Sequence, residues 1–165
     1  MPSNNFKFKD EQQSLNLGLT RIKRVLHELN NPCNDIPAIQ IVGTNGKGSI
    51  SSFIKTTLKV CRIKSGIATS PHLINWNERI NVDGIDISDK ELALQKNTID
   101  NLSKNNLLSP FEKIIAISLN YFEKEKVKLL VLEAGLGGRL DATTAHNLRP
   151  IIAISSIGLD HCEYL

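Results

Sequence analysis

Residues 43–49 read Gly-Thr-Asn-Gly-Lys-Gly-Ser, directly after the apolar run 38–42 and directly before a helical stretch at 50–61. No other stretch restricts the fold so strongly. A short apolar strand that turns through glycines into a helix opens a β–loop–α–β unit, which builds a parallel sheet with helices on both faces. The same placement predicts a phosphate site. Glycines let backbone N–H groups turn inward around phosphate oxygens, and the helix N-terminus adds partial positive charge. Lys47 would bring a mobile full charge to the β- and γ-phosphates of ATP, and the Ser49 hydroxyl would touch Mg²⁺. The spacing G-x-x-G-K-G-S departs from the strict G-x-x-x-x-G-K-[ST] pattern, so the flanking strand and helix carry the assignment.

The rest of the chain reads as one α/β domain. Leu15, Leu19, Ile22, Leu26 and Leu29 recur at helical steps. A second short strand is predicted at 66–69. Residues 80–82 and 85–87 alternate apolar and polar around Asp83-Gly84, which predicts a small β-hairpin. Ser88 with Glu91 forms a capping-box signature for a helix carrying Leu92, Leu94, Ile99 and Leu102, and Pro110 opens another helix to about Lys126. Residues 127–132 and 151–154 are further strand candidates.

A second glycine-rich loop follows the strand candidate that ends before Glu133: Glu-Ala-Gly-Leu-Gly-Gly-Arg-Leu-Asp-Ala-Thr over 133–143. Ligands of open α/β sheets collect beyond the carboxyl ends of the strands, where Glu133 could face a metal or phosphates. Gly135, Gly137 and Gly138 suggest backbone pressed close to a ligand. Ser70 and His161 each follow a strand candidate as well. Lys47 with Ser49, Ser70, Glu133 and His161 would then converge on one sheet edge from four strand ends.

Composition limits the partners. With a net charge of +3 and no basic stripe interleaved with aromatics, nucleic-acid binding is not expected. Cys33, Cys61 and Cys162 are odd in number and widely spaced, as reduced thiols of a cytoplasmic protein would be. No signal peptide or membrane-length apolar run is visible.

Taken together, VGTNGKGS (42–49), TSPHL (69–73), ERINVDG (78–84), SPFE (109–112), LEAGLGGRLDAT (132–143) and SSIGLDH (155–161) resemble the folylpolyglutamate synthase/dihydrofolate synthase family of Mur-ligase-like ATP-dependent amide ligases. The resemblance implies the Mur ligase central ATPase fold and the ligation of L-glutamate to dihydropteroate or tetrahydrofolate through an acyl phosphate, in folate biosynthesis and one-carbon metabolism. Carried over by position, Thr44, Asn45, Gly46, Lys47, Gly48 and Ser49 would bind ATP, with Lys47 and His161 catalytic. Ser49 would hold a first Mg²⁺, and Ser70, Glu133 and His161 a second. Asn16, Leu17, Leu108, Ser109, Pro110, Phe111, Leu140, Asp141 and Ala142 would contact the pterin substrate. The chain departs from the family at Ala134 (commonly Val), Ile115 (commonly Thr) and Thr144 (usually Asn).

The family continues past the Asp160-His161 segment into a carbamylated lysine and a second domain that binds nucleotide and glutamate. Residues 1–165 are therefore expected to be an incomplete N-terminal ATP-binding domain, inactive alone, of a cytoplasmic protein that is monomeric when complete. Two competing readings are a muramyl-peptide ligase domain, in which Thr usually follows the lysine directly, and a nucleotide-binding fragment without ligase activity.

Overall fold

The computed structural model describes residues 18–103 and 108–160. In chain order the elements are α1 (Thr20–Glu28), β1 (Ala38–Val42), α2 (Lys47–Val60), β2 (Ser65–Ala68), a 3-10 turn (Trp76–Arg79), β3 (Ile80–Val82), β4 (Ile85–Asp86), α3 (Asp89–Leu102), α4 (Pro110–Lys124), β5 (Leu129–Glu133), a 3-10 turn (Ala142–Ala145) and β6 (Ile151–Ile154). The strands form one sheet in the order β4-β3-β2-β5-β1-β6. Strands β2, β5, β1 and β6 are parallel, as the β–loop–α–β reading requires. The β3–β4 hairpin is not a separate lobe: β3 pairs antiparallel with β2 and extends the sheet.

Strand alternation divides the core between the two faces. Val131 of β5 and Ile41 of β1 pack with Ile67 and with Leu58 of α2 on one face. Leu130 and Leu132 of β5 turn the other way, into the larger cluster built by α1, α3 and α4. Helix α4 begins on a full capping box: Ser109 Oγ accepts the Glu112 N–H at 3.2 Å, and Glu112 Oε2 accepts the Ser109 N–H at 2.7 Å. Arg21 of α1 reaches the same buried carboxylate, tying α1 to the start of α4.

Several local expectations shift. At α3 only half of the expected capping box forms. Ser88 Oγ accepts the Glu91 N–H, but the Glu91 carboxylate accepts from Gln95 Nε2 at 2.8 Å and Lys124 Nζ at 2.6 Å instead. Leu92, Gln95 and Ile99 form the buried face of α3, and Leu94, about half a turn from Leu92, is 54% exposed. Val127 is buried ahead of β5, whose pairing starts at Leu129 and includes Glu133. Leu15 lies outside the described residues.

Gly66 shows how tightly α4 seats on the sheet. A Cβ there would stand 2.6 Å from Phe122 Cγ, and Phe122 is fully buried. Gly66→Ala should therefore overpack this contact and lower stability by about 1–3 kcal/mol. Denaturant unfolding checks this; an unchanged midpoint would mean that Phe122 can retreat at little cost.

Candidate functional site

Helix α2 starts at Lys47 because Gly46, at φ 85°, turns the chain from the loop into the first helical turn. Gly43 is equally constrained. Its φ is 128°, and a Cβ there would fall 2.2 Å from Ser155 Oγ. The segment after β6 holds the loop from the side. The Thr44 N–H donates to the Ser156 carbonyl at 2.7 Å, and the Gly158 N–H donates to Thr44 Oγ1 at 3.0 Å. Ser156 Oγ donates to the Asn45 carbonyl and accepts the Asn45 N–H. The loop is thus pre-shaped by β6 before any ligand enters. Lys47 Nζ folds over it, donating to the carbonyls of Gly43 at 2.7 Å and Thr44 at 3.2 Å.

Glu133 ends β5 beside the first turns of α2. Its carboxylate is 3% exposed, and a Cβ on Gly48 would lie 3.8 Å from Glu133 Oε1. The Ser70 backbone N–H, just past β2, favours its ionised form. Ser70 is followed by a cis bond to Pro71. Ser51 Oγ lies 3.2 Å from Glu133 Oε2 and 3.0 Å from the Lys47 carbonyl, and its single hydrogen can serve one of them at a time. Burial raises the Glu133 pKa above the usual carboxyl value, while Ser51, the Lys47 charge and the Ser70 N–H pull it back down. An open cleft of about 420 Å³ joins the phosphate loop, Ser51, Lys55, Ser70 and Glu133.

Lys47, Ser70 and Glu133 therefore meet at three strand ends. Ser49 is exposed, while Gly48 and Ser51 of α2 face Glu133. Ser51 and Lys55 were not legible as site residues in the sequence. The available signal was their spacing, since positions 47, 51 and 55 share one helical face. His161, Asn16 and Leu17 lie outside the described residues.

The second glycine loop departs from its expectation. A Cβ on Gly135 would meet the Phe111 ring at 3.0 Å, and one on Gly138 would meet Val42 Cγ1 at 3.2 Å. These two glycines make room for protein side chains. Asp141 is buried, and its carboxylate takes four hydrogen bonds from its own loop: Gly135 N–H and Leu136 N–H on Oδ2, Thr143 N–H and hydroxyl on Oδ1. Ser109 is occupied as the α4 cap, Leu108 and Ala142 are buried, Pro110 is half-buried, and Leu140 is exposed. Phe111 lies between these segments, against Gly135.

No family model matches the chain. Individual proteins do. It is 39% identical over 156 residues to the dihydrofolate synthase/folylpolyglutamate synthase of Bacillus subtilis, covering 90% of this chain and 36% of that one. It is 38% identical to a probable dihydrofolate synthetase of Schizosaccharomyces pombe, over 92% and 37% of the two chains. Among solved structures, E. coli FolC in complex with DHPP and ADP superposes with a TM-score of 0.88 at 30% identity, over 93% of this chain and 37% of that one. The chain belongs to the folylpolyglutamate synthase/dihydrofolate synthase family. It spans a little over a third of the length of these relatives.

The donor set fits the group this family implies. Among the described residues no cluster of three His, Cys, Asp or Glu could hold a metal by itself. A buried carboxylate with serine hydroxyls around it nevertheless supplies the hard oxygen ligands that Mg²⁺ takes, while bound phosphates and water commonly complete its shell.

The raised Glu133 pKa has a testable sign. Between the ordinary carboxyl range and the raised value, the folded chain keeps a proton that the unfolded chain has lost, so stability falls as pH rises through that window. Glu133→Gln removes the buried charge. In metal-free buffer its melting temperature relative to the parent chain should improve from pH 4 to pH 8. A constant difference between the two chains across that range would refute burial as the dominant effect; Asp141 titrates in both and cancels.

Proposed function

We propose that residues 1–165 are the N-terminal ATP-binding part of a ligase that joins L-glutamate to a pteroate or folate through an acyl phosphate. The carrying observation is the meeting of Lys47 with the buried Glu133 carboxylate at neighbouring strand ends, in a chain of this family. Solved relatives with DHPP and ADP bound, and with Mn, AMPPNP and L-glutamate bound, support the same reading. So does the edge strand β6. Ile151, Ile152 and Ile154 are each more than half exposed, an apolar surface that further chain would cover. No described helix is long and apolar enough to cross a membrane. We read the complete protein as a cytoplasmic monomer that binds neither nucleic acid nor membrane.

The work of the residues follows from their places. The backbone N–H groups of residues 46–48, at the start of α2, would receive the phosphates of ATP, while those of Thr44 and Asn45 stay with Ser156. Lys47 would leave the Gly43 and Thr44 carbonyls and swing its ammonium onto the β- and γ-phosphates, holding the transferring group while a substrate carboxylate oxygen attacks the γ-phosphorus and ADP departs. Ser49 from the helix start would hold one Mg²⁺, and Ser70, Glu133 and His161 a second. Mg²⁺ there would neutralise charge on the phosphoryl oxygens. The glutamate amine would then attack the acyl carbon, lose a proton and expel phosphate, leaving an amide. Phe111, the residues around it at 108–110, and the loop at 140–142 would line the pterin side, together with Asn16 and Leu17.

The test is phosphate release by the complete protein that carries this chain. Release should require Mg-ATP, L-glutamate and a reduced pteroate or folate together, with dihydropteroate and tetrahydrofolate compared to separate the two activities. Release that is equal without glutamate would sink the ligase reading. Lys47→Ala should lower the rate by about 100-fold or more, since among the described residues no other cation touches the loop carbonyls that Lys47 covers. The 165-residue piece alone is expected to bind ATP weakly and to form no product; sustained ligation by it would overturn the division of labour.

A further inference from the structure

On the face of β1 away from α2, a polar network runs beneath the second glycine loop, and none of its members belongs to the phosphate loop. Gln40 is 2% exposed in the middle of β1. Its Nε2 donates to Thr143 Oγ1 and to Thr144 Oγ1, both at 2.8 Å. Its Oε1 accepts from Arg149 Nη1, which also donates to Thr144 Oγ1 at 3.1 Å. Thr144 Oγ1 passes its own hydrogen to the Gly138 carbonyl at 2.7 Å, and Thr143 Oγ1 passes its hydrogen to Asp141 Oδ1 at 2.6 Å. Asp141 in turn holds the N–H groups of Gly135 and Leu136.

The amide and hydroxyl hydrogens of this network balance, while Arg149 Nε is buried without a partner among the described residues. Both Nε2 hydrogens of Gln40 are used, both of Arg149 Nη1 are used, and each threonine donates once. Only one orientation of the Gln40 amide satisfies every partner. Thr144 is the junction, with two donors arriving and one bond leaving for the loop. Removing its hydroxyl leaves one Gln40 hydrogen, one Arg149 hydrogen and the Gly138 carbonyl without that partner at once, and unpaired buried groups are costly.

The loop it holds carries Leu140 and Ala142 and packs Gly135 against Phe111. We propose that the Gln40–Arg149–Thr144 network is a positioning device for residues 135–142, setting the wall against which the pteroate or folate binds while leaving the nucleotide end alone. Thr144 is a positioning residue, acting through the loop and not by touching substrate. The idea rests on the substrate reading given above.

Two variants test it, Thr144→Val, which keeps the shape and removes the hydroxyl, and Thr144→Ser, which keeps the hydroxyl. In the complete protein, rates are measured with the pteroyl substrate and ATP varied separately. Thr144→Val should raise the KM for the pteroyl substrate about tenfold and leave the KM for ATP within about twofold, with Thr144→Ser close to the parent. A parallel rise in both KM values would make the network a general stabiliser and overturn the proposal. So would Thr144→Ser behaving like Thr144→Val, or an unchanged pteroyl KM. If the parent protein fails to ligate glutamate at all, the substrate reading falls, and amide exchange decides the positioning separately. The Gly135, Leu136 and Thr143 amides should then exchange about tenfold faster in Thr144→Val, with the α2 amides unchanged. Unaltered exchange at those three amides would end the idea.

Discussion

The parallel pairing of β1 with β5, in the register that sets Ile41 beside Glu133, is the constraint on which the rest of the site depends. The Ala134 N–H continues that pairing by donating to the Ile41 carbonyl at 2.9 Å. Because β1 runs straight into the phosphate loop, this register delivers the Glu133 carboxylate to the first turns of α2. A one-residue slip would turn Glu133 to the opposite face of the sheet. The buried charge is tolerated because Lys47, Ser51 and the Ser70 N–H all address it, and a carboxylate without such partners would be costly at this depth.

Around that pairing the sheet is flanked by two separate supports. On one side the segment after β6 fastens Thr44 and Asn45 and leaves room for no side chain at Gly43. On the other, Gln40 carries hydrogen bonds out to Thr143, Thr144 and Arg149 and so to the second glycine loop. Both supports are anchored on β1, so the strand that begins the phosphate loop also indexes the opposite wall.

Much of this was legible in the sequence, for reasons that are local. Glycines at 43 and 46, a lysine at the first helical position, and Ser109-Pro110 ahead of Glu112 each obey short-range backbone rules that hold wherever the segment lies. The less legible parts are those in which a local rule meets a distant competitor. Glu91 leaves its capping role because Lys124 and Gln95 reach it. The glycines of residues 135–138 look like a ligand cradle in isolation, yet two of them are spent on the close approach of Phe111 and Val42. Asp141, carried over from the family as a pterin contact, is buried and anchors its own loop.

By itself the sequence determined the β–loop–α–β grammar, the helix starts, the phosphate loop and the family, because these reside in the order and spacing of neighbouring residues. Tertiary structure decided that the Ser51 hydroxyl accompanies Glu133, and which glycines face protein. It also decided that Gln40, Thr144 and Arg149 act together. The physical reason is the strand order. Neighbours in the sheet β2-β5-β1-β6 come from distant parts of the chain, so the groups that meet across it depend on register and helix rotation, which no local pattern encodes.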